Sequence, residues 1–220
     1  MTVEKLNCEI ISCRKCTRLV DYRNNRNPQA RYAGQEYWNR PITGYGSIES
    51  NILVVGLAPA FDGGNRTGRI FTGDKSSDFL ISSLYAAGLT NMPTSENKDD
   101  GLKYNGIYIT LALKCAPPDN KPTKDELNNC KGFIEREIDM MKNLRAIVCL
   151  GKIAFDSIIN IFKSKNIKTM GMKFVNGKYY DLAGIRIYCS YHPSPRNVNT
   201  GLLKKEEFIS LLNEIKNYAT

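Results

Sequence analysis

His192, the only histidine of the 220-residue chain, lies in the short stretch YHPSPRN. It follows a predicted strand and precedes two prolines spaced one residue apart, which bias the backbone after it to extended geometry. An imidazole changes charge near neutral pH and can donate a hydrogen bond or move a proton. A lone histidine after a strand can also be an ordinary solvated residue. The proline spacing favours a reactive group on a stiff loop.

Four of the seven cysteines have positions that favour a metal centre over disulfides. Cys13 and Cys16 are separated by two residues, so both thiolates can reach one centre. Cys115 follows a predicted strand, and Cys130 lies on the buried stripe of a predicted helix. Four thiolates suit a tetrahedral zinc ion or a [4Fe–4S] cluster, and the spacing does not choose between them. Two unrelated pairs of free thiols are the alternative.

The other three cysteines carry no sign of metal chemistry. Cys149 and Cys189 lie within the apolar runs AIVCLG and IRIYCSY, where a thiol behaves as a small buried hydrophobe. Cys8 has no spacing to another cysteine that predicts a role.

Two aspartates stand in the glycine-rich stretch GLAPAFDGGNRTGRIFTGD, residues 56–74. Asp74 follows a glycine at the point where a helix is predicted to begin. It is therefore either an N-cap residue or a catalytic carboxylate, and its neighbours support both readings equally. Asp62 is the rival carboxylate.

The net charge of +9 and the pI near 9.2 make polyanions the expected partners. A basic surface concentrates nucleic acid or an anionic membrane nearby, unless it is simply solvated. No run is apolar enough to span a bilayer, and no basic amphipathic helix carries a Trp- or Phe-rich face. The N-terminus lacks the apolar core of a signal peptide, so we expect an intracellular protein without a membrane partner.

The elements that position these residues are predicted to alternate. Four apolar, β-branched runs bounded by turn signals read as buried strands at 51–58, 106–113, 146–151 and 185–191. Helical patterns lie between and after them, at 76–88, 123–144, 152–162 and 202–218. Thr123 and Glu126 have the spacing of a capping box. Asn176-Gly177 predicts a hairpin turn.

This alternation predicts an α/β fold, a three-layer α/β/α domain with a central four-stranded, mainly parallel sheet. Ligands in such folds bind outside the carboxyl ends of the strands. The most unusual stretches follow three of the four strands: PAFDGGNRTGRIFTGD, KCAPPDNKPT and HPSPRN. We therefore expect them to meet at one edge of the sheet.

Together these motifs resemble the family-5, or type B, uracil-DNA glycosylases, iron–sulfur-containing members of the uracil-DNA glycosylase superfamily. The resemblance rests on GLAPAFDGGNRTGRIFTGD, KCAPPDNKPT and HPSPRN, with Cys13-x2-Cys16 ahead of TRLVDYR. It runs from about residue 8 to about residue 215. The NRTGR-FTGD block is specific to it, whereas HPSP is shared across the wider superfamily.

The resemblance implies a single uracil-DNA glycosylase domain over residues 1–220. It also implies a structural [4Fe–4S] cluster, with zinc as the less favoured alternative, that ties an N-terminal segment of about residues 8–40 to that domain. The ligands would be Cys13, Cys16, Cys115 and Cys130.

The implied activity is DNA repair by hydrolysis of the bond between deoxyribose and uracil, after the base has been flipped out of the duplex. The product would be an abasic site, and hypoxanthine or other deaminated bases are further candidate substrates. No lysine stands out as a Schiff-base nucleophile, so we expect a monofunctional glycosylase. We expect a monomer whose partner is damaged DNA.

The resemblance also implies roles for two catalytic residues. Asp74 would activate water and stabilise the oxocarbenium-like sugar, and His192 would donate to the base oxygen that gains charge. Asp62 stands where relatives commonly carry a histidine, so its role is open.

Further residues would form the base pocket. Phe71 would stack on the flipped base, or else be an ordinary core residue. Leu111 stands where family-4 relatives have an Asn that reads the pyrimidine edge, which predicts weaker selection for uracil. Asn120 is the remaining polar candidate, or else a turn residue. Backbone atoms of the pocket would come from Gly56, Leu57 and Ala58.

The DNA contacts would come from two stretches. Arg66 and Arg69 would meet phosphate or orient the site acids. The loop after His192 would press into the minor groove, with Arg196 filling the gap left by the flipped base. That loop comprises Pro193, Ser194, Pro195, Arg196 and Asn197.

Two alternatives come from other functional classes. A non-catalytic nucleic-acid-binding protein with a structural four-cysteine metal site would bind DNA without releasing a base. It leaves the FTGD stretch and the lone histidine unexplained. An iron–sulfur electron carrier is the weakest reading, because the cysteines are scattered over more than a hundred residues and no second redox motif is present.

Overall fold

A computed structural model describes residues 2–220 and contains one six-stranded sheet with the strand order β1-β3-β2-β4-β6-β5. The four central strands are parallel, as predicted, and their registers place Gly56 beside Leu111 and Leu150 beside Ser190. Two short strands outside the four predicted runs cover the edges and pair in antiparallel fashion. The strand bounds are β1 Tyr45–Gly46, β2 Ile52–Gly56, β3 Ile107–Leu111, β4 Ala146–Leu150, β5 Tyr179–Leu182 and β6 Ile185–Ser190.

Helices cover both faces of the sheet, which confirms the three-layer α/β/α prediction. Alternate strand residues point to opposite faces, so Val54 packs with α4 and α8 while Val55 packs with α5 and α6. No helix within residues 2–220 combines the length and apolar character needed to cross a membrane. The helix bounds are α1 Val3–Ile11, α2 Thr17–Asn25, α3 Gly64–Thr67, α4 Lys75–Ala86, α5 Lys124–Met140, α6 Lys152–Ser164, α7 Pro195–Asn199 and α8 Lys205–Ala219.

The predicted hairpin exists, but its turn lies elsewhere. Strands β5 and β6 are joined by Ala183-Gly184, both of which have a left-handed backbone with φ of 52° and 81°. That conformation suits a two-residue primed turn. Asn176-Gly177 instead forms an earlier turn, where the Asn176 side chain accepts a hydrogen bond from the Tyr191 backbone N–H. The location predicted from the Asn-Gly pair was therefore wrong.

The N-terminal segment packs on the outside of α5. Leu6 and Ile10 of α1 and Leu19 of α2 form a third apolar cluster with Phe133, and the four predicted ligand cysteines belong to it or pack against it. The segment is thus joined to the domain beside the predicted metal ligands.

A buried ion pair fastens α5 to β3 and the residue that follows it. The Lys114 ammonium and the Glu137 carboxylate are 1% and 0% exposed and lie 2.9 Å apart. Glu137 also accepts hydrogen bonds from the hydroxyls of Thr110 and Tyr108 at 2.7 and 3.3 Å. Desolvating two charges is costly, and this network offsets the cost only while it is complete.

Glu137→Leu is expected to lower the free energy of unfolding by about 3–5 kcal/mol, because it leaves the Lys114 ammonium buried without a counter-charge. The double variant Lys114→Met/Glu137→Leu should recover much of that loss. The exposed pair of Lys152 and Asp156 is the control, and Asp156→Asn should cost about 0.5 kcal/mol or less. Urea unfolding measures all three, and a double variant as unstable as Glu137→Leu would contradict the account.

Candidate functional site

A cavity of about 400 Å³ lies at the carboxyl ends of the central strands. Its walls come from the loop after β2, the segment after β3 and the loop after β6, which confirms that the three unusual stretches meet. Among the predicted site residues, the cavity is lined by Leu57, Ala58, Phe71, Asp74, Asn120, His192, Ser194 and Pro195, and Leu111 also contributes.

Asp74 is both an N-cap and a wall of this cavity. Its Oδ1 accepts hydrogen bonds from the backbone N–H groups of Ser76 and Ser77 at 2.9 Å, and the Ser77 hydroxyl completes a capping box. No hydrogen bond engages Oδ2 among residues 2–220. Burial raises the pKa of the Asp74 carboxyl above its usual range, against the lowering effect of the two backbone bonds. Asp74 can therefore be both the N-cap of α4 and a catalytic carboxylate, the two roles that the sequence left open.

Gly63 makes room for this carboxylate. A Cβ added at Gly63 would lie 2.1 Å from Oδ2 of Asp74, closer than any real side chain approaches. The glycine-rich stretch between β2 and α4 thus lets the chain fold back closely over the carboxylate.

Asp62 faces away from the cavity. Its carboxylate accepts a hydrogen bond from the Tyr37 hydroxyl at 2.7 Å and lies 4.0 Å from the Arg26 guanidinium. The Gln29 backbone N–H donates to it at 3.4 Å. These contacts hold the segment before β1, so Asp62 is not placed to act on a ligand beside Asp74.

His192 is half-buried in the cavity wall, and its ring lies 6.2 Å from the Phe71 ring. Burial lowers the pKa of the imidazole to about 4, so the ring is neutral at physiological pH. Its side chain makes no hydrogen bond within residues 2–220. Its carbonyl accepts from the Ser194 N–H at 2.7 Å and from the Asn197 amide at 2.8 Å, which fastens the loop.

Phe71 lies on the cavity floor in a left-handed backbone conformation with φ of 44°. Such a conformation is costly for a bulky residue and concentrates at functional sites. Gly56 does not line the cavity. A Cβ at that position would lie 2.8 Å from the Phe71 ring, so Gly56 makes room for the ring instead.

Asn120 and Leu111 face the cavity with opposite chemistry. Asn120 is exposed, has φ of 56° beside Asp119 with φ of 52°, and its amide makes no hydrogen bond within residues 2–220. It is thus both the turn residue and the polar candidate. Leu111 ends β3 and supplies an apolar wall.

The two arginines predicted to contact DNA lie within the protein. Arg69 is 3% exposed, and its guanidinium donates to Asp100, Ser95 and Thr72, so a phosphate contact by Arg69 is excluded and that prediction was wrong. Arg66 is half-buried and donates to the carbonyls of Asp62 and Gly73 at 2.8 and 3.2 Å. The Arg66 contacts hold the residue before Asp74, which matches the orienting role.

The loop after His192 turns into a short helix. Ser194 caps α7, and Pro195 occupies its first turn, where proline is favoured. Pro193 is buried and Asn197 bonds to the His192 carbonyl, so these two residues support the loop from within and do not project from it. Arg196 is exposed and has no side-chain partner among the described residues.

The predicted ligands Cys13, Cys16, Cys115 and Cys130 line a second, separate cavity. Sulfur atoms there receive hydrogen bonds: the Lys114 N–H lies 3.2 Å from Cys130 Sγ, and the Arg23 guanidinium 3.3 Å from Cys115 Sγ. Burial raises the pKa of the Cys115 thiol to about 12 and that of Cys130 to about 11. Without a bound cation Cys115 and Cys130 are therefore neutral thiols.

The donor set fits a bound metal centre. The Nε of Arg23 is buried beside the thiols without a partner, which an anionic centre of thiolates would explain. No group of three or more His, Cys, Asp or Glu side chains within residues 2–220 is arranged to hold a single metal ion.

Two residues of these sites were missed in the sequence. Lys75 lines the first cavity beside Asp74, but its side chain is exposed and pairs with Asp78 at 3.6 Å. Arg23 stands beside the cysteines in space. Its only sequence signal was its place at the end of TRLVDYR, since helix patterns do not predict a buried arginine.

Comparison with known proteins identifies a family and several relatives of this chain. Residues 43–216 match the family described as "Uracil DNA glycosylase superfamily". The chain is 43% identical to the type-5 uracil-DNA glycosylase of Pyrobaculum aerophilum, over 92% of this chain and 87% of that protein. It is 42% identical to the type-5 enzyme of Thermus thermophilus over 96% and 95%, and 31% identical to the type-4 enzyme of Archaeoglobus fulgidus over 84% and 78%.

The pKa of the lone histidine gives a direct test of the cavity. In NMR titration the imidazole of His192 is expected to titrate near pH 4 in the native protein and near 6.5 in urea. Because the native pKa is the lower one, this histidine contributes stability that is complete above pH 6.5 and is lost as the pH falls toward 4. A native midpoint near 6.5 would mean that the ring is solvated.

Proposed function

The chain belongs to the type-5 uracil-DNA glycosylases of the uracil-DNA glycosylase superfamily, and on that basis we propose that it excises uracil from DNA by hydrolysis. The observation that carries the proposal is one cavity in which a carboxylate with an unengaged oxygen faces a neutral imidazole across an aromatic floor. An aromatic ring can stack on a flipped base, a neutral imidazole can donate to its edge, and a carboxylate can stabilise the oxocarbenium-like sugar.

The cavity is large enough for a single base that has left the duplex. Its volume is about 400 Å³, and Phe71 offers a ring face on its floor for stacking. The strained backbone at Phe71 and the space at Gly56 fix the height of that ring. A planar base would thus be held between the ring and the wall formed by Leu57 and Ala58.

Asp74 is the carboxylate that acts on the sugar. Its Oδ1 is held by two backbone N–H groups, which leaves Oδ2 to orient a water molecule and to face the positive charge that develops on the sugar. Since Asp74 must be ionised for both tasks, its raised pKa sets the lower pH limit of the reaction.

His192 acts on the leaving base. A neutral imidazole carries one N–H donor, and that donor can stabilise the oxygen on which negative charge develops. The low pKa of the ring keeps it neutral and avoids the desolvation of a charged group in the cavity. Hydrogen bonds from the Asn197 amide and the Ser194 N–H to the His192 carbonyl fix the backbone that carries the ring.

Two residues that line the cavity, Leu111 and Asn120, determine how strongly the site selects uracil over other bases. Leu111 cannot form hydrogen bonds to a base edge, and the Asn120 amide is the free polar group opposite it. An apolar wall discriminates weakly between bases that differ only in their polar groups. We therefore include hypoxanthine and other deaminated bases among the substrates.

The net charge of +9 favours binding to the DNA backbone. The exposed residues that line the cavity are Lys75, Asn120 and Pro195, and the exposed Arg196 follows Pro195 on α7. Arg196 has no protein partner among the described residues, so it is available to enter the stack where the base has left. One chain supplies every residue named for this site, so we propose that the protein acts as a monomer.

The cysteine cavity holds a structural [4Fe–4S] cluster in this proposal. Cys13 and Cys16 both lie in the connection between α1 and α2, while Cys115 follows β3 and Cys130 lies on α5. A bound cluster would supply covalent cross-links between these elements. Four cysteine thiols around one cavity suit either a cluster or zinc, and the resemblance to iron–sulfur-containing glycosylases favours the cluster.

Asp74→Asn is expected to reduce base release about 100- to 10,000-fold, because it removes the carboxylate that activates water. Asparagine caps a helix as well as aspartate does, so α4 and the fold should be preserved. The assay follows release from duplexes with a single uracil or hypoxanthine, with alkali to cleave abasic sites. Omitting alkali tests for lyase activity at Lys75, which we expect to be absent.

Asp78→Asn is the matched control, since Asp78 is an exposed carboxylate on the same helix and should leave the rate close to that of the parent protein. Equal activity of the parent and Asp74→Asn would show that Asp74 is not the catalytic carboxylate. DNA binding without base release by the parent protein would favour the non-catalytic nucleic-acid-binding alternative.

The metal proposal predicts four iron atoms and four sulfides per chain in anaerobically purified protein, with visible absorbance. Cys130→Ser should lose the cluster and lower the free energy of unfolding, because α5 is no longer linked to the N-terminal segment. Cys8→Ser is the control, since Cys8 is exposed and lies outside the cavity. One zinc ion per colourless chain would establish the zinc alternative instead.

A further inference from the structure

Three cationic side chains are buried within residues 2–220: Arg23, Arg69 and Lys114 are 4%, 3% and 1% exposed. Two of them have buried or half-buried carboxylate partners. Arg69 lies 2.6 Å from Asp100, and Lys114 lies 2.9 Å from Glu137. A buried charge normally requires such a partner, because desolvation of an unpaired ion costs several kcal/mol.

Arg23 has no carboxylate within ion-pair distance in the described part of the chain. The one hydrogen bond of its guanidinium there is donated from Nη1 to Cys115 Sγ at 3.3 Å. Its Nε is fully buried and has no partner among the same residues. A guanidinium does not lose its proton in proteins, so this charge is permanent and cannot be relieved by titration.

A centre bound to four thiolates would supply the missing negative charge. Four thiolates around either Zn²⁺ or a [4Fe–4S]²⁺ core leave a net charge of about −2. Arg23 lies beside one of these four sulfurs, on the buried face of α2, whose N-cap residue is the ligand Cys16. The helix that begins at one ligand therefore brings the cation to another.

We propose that Arg23 is the counter-charge of the cysteine metal centre and that it slows loss of the metal. This inference rests on the metal centre proposed above. The guanidinium is not a ligand. Its buried positive charge and its hydrogen bond to Cys115 Sγ offset the negative charge of the metal-bound thiolates, and so stabilise the loaded centre.

Of the cations that line the cysteine cavity, Lys114 is buried but neutralised by Glu137, and the other two differ from Arg23 in exposure. Arg14 and Lys15 also line it, but both are exposed, so water and salt screen their charge. Lys15→Gln therefore removes one positive charge from the same cavity without uncovering a buried group. It is the matched control for Arg23→Gln.

The test measures metal release from the full-length, metal-loaded protein to excess EDTA at neutral pH, together with metal content and visible absorbance. Arg23→Gln should release the metal about 10- to 100-fold faster than the parent protein, as loss of a residue that supports metal ligands commonly does. Arg23→Lys, which keeps the charge, should lie much closer to the parent. Lys15→Gln should release metal at nearly the parental rate.

Each outcome decides the inference. If Arg23→Gln releases its metal at the rate of the parent protein, the inference is overturned. It is also overturned if folded Arg23→Lys releases its metal as fast as Arg23→Gln, because the charge would then not be the cause. If Arg23→Gln fails to fold while Arg23→Lys folds and retains its metal, the inference is supported, because the two side chains differ chiefly in charge. If the parent protein contains no metal, the proposed metal centre itself is overturned. This outcome differs from a metal centre whose release rate does not depend on Arg23.

Discussion

The in-register ladder of four parallel strands is the constraint on which the site depends. Gly56 at the end of β2 pairs with Leu111 at the end of β3, and Leu150 at the end of β4 pairs with Ser190 at the end of β6. Since β2 also pairs with β4, all four strands end along one edge of the sheet. The carboxylate, the amide and the imidazole each follow one of these ends. A shift of one residue in any pairing would turn a strand's side chains to the other face and separate those groups.

At that edge, structural and chemical roles are combined in the same residues. One oxygen of Asp74 caps α4, and the other makes no hydrogen bond to the described residues. The backbone of His192 is fastened by Asn197, while its ring makes no hydrogen bond to the described residues. Backbone hydrogen bonds thus fix both residues in place, while Oδ2 of Asp74 and the imidazole nitrogens of His192 keep their hydrogen-bonding capacity for a ligand. Their altered pKa values follow from the same burial that excludes water from a bound base.

The distribution of buried charge separates the structural part of the molecule from the metal centre. Lys114 and Glu137 neutralise each other and fix α5 against β3, and Arg69 is neutralised by Asp100. Within residues 2–220, only at the cysteines does a buried cation face sulfur alone. Lys114 lies next to Cys115 in the chain and donates its N–H to Cys130. The buried ion pair is therefore adjacent to the proposed metal centre. Loss of the metal would disturb the packing of α5 against β3.

The sequence by itself determined the layers, the four parallel strands, the capping box at Thr123 and the meeting of three loops at one edge, because hydrophobic period and cap spacing are local signals. It could not place the hairpin turn at Ala183-Gly184, the burial of Arg69 or the outward direction of Asp62. Only the tertiary structure decided these, since they depend on which partners distant segments bring, such as Asp100 for Arg69 and Tyr37 for Asp62. The tertiary structure also decided that Arg23 has no carboxylate partner, because this depends on all the residues packed around the guanidinium and cannot be inferred from the residue type.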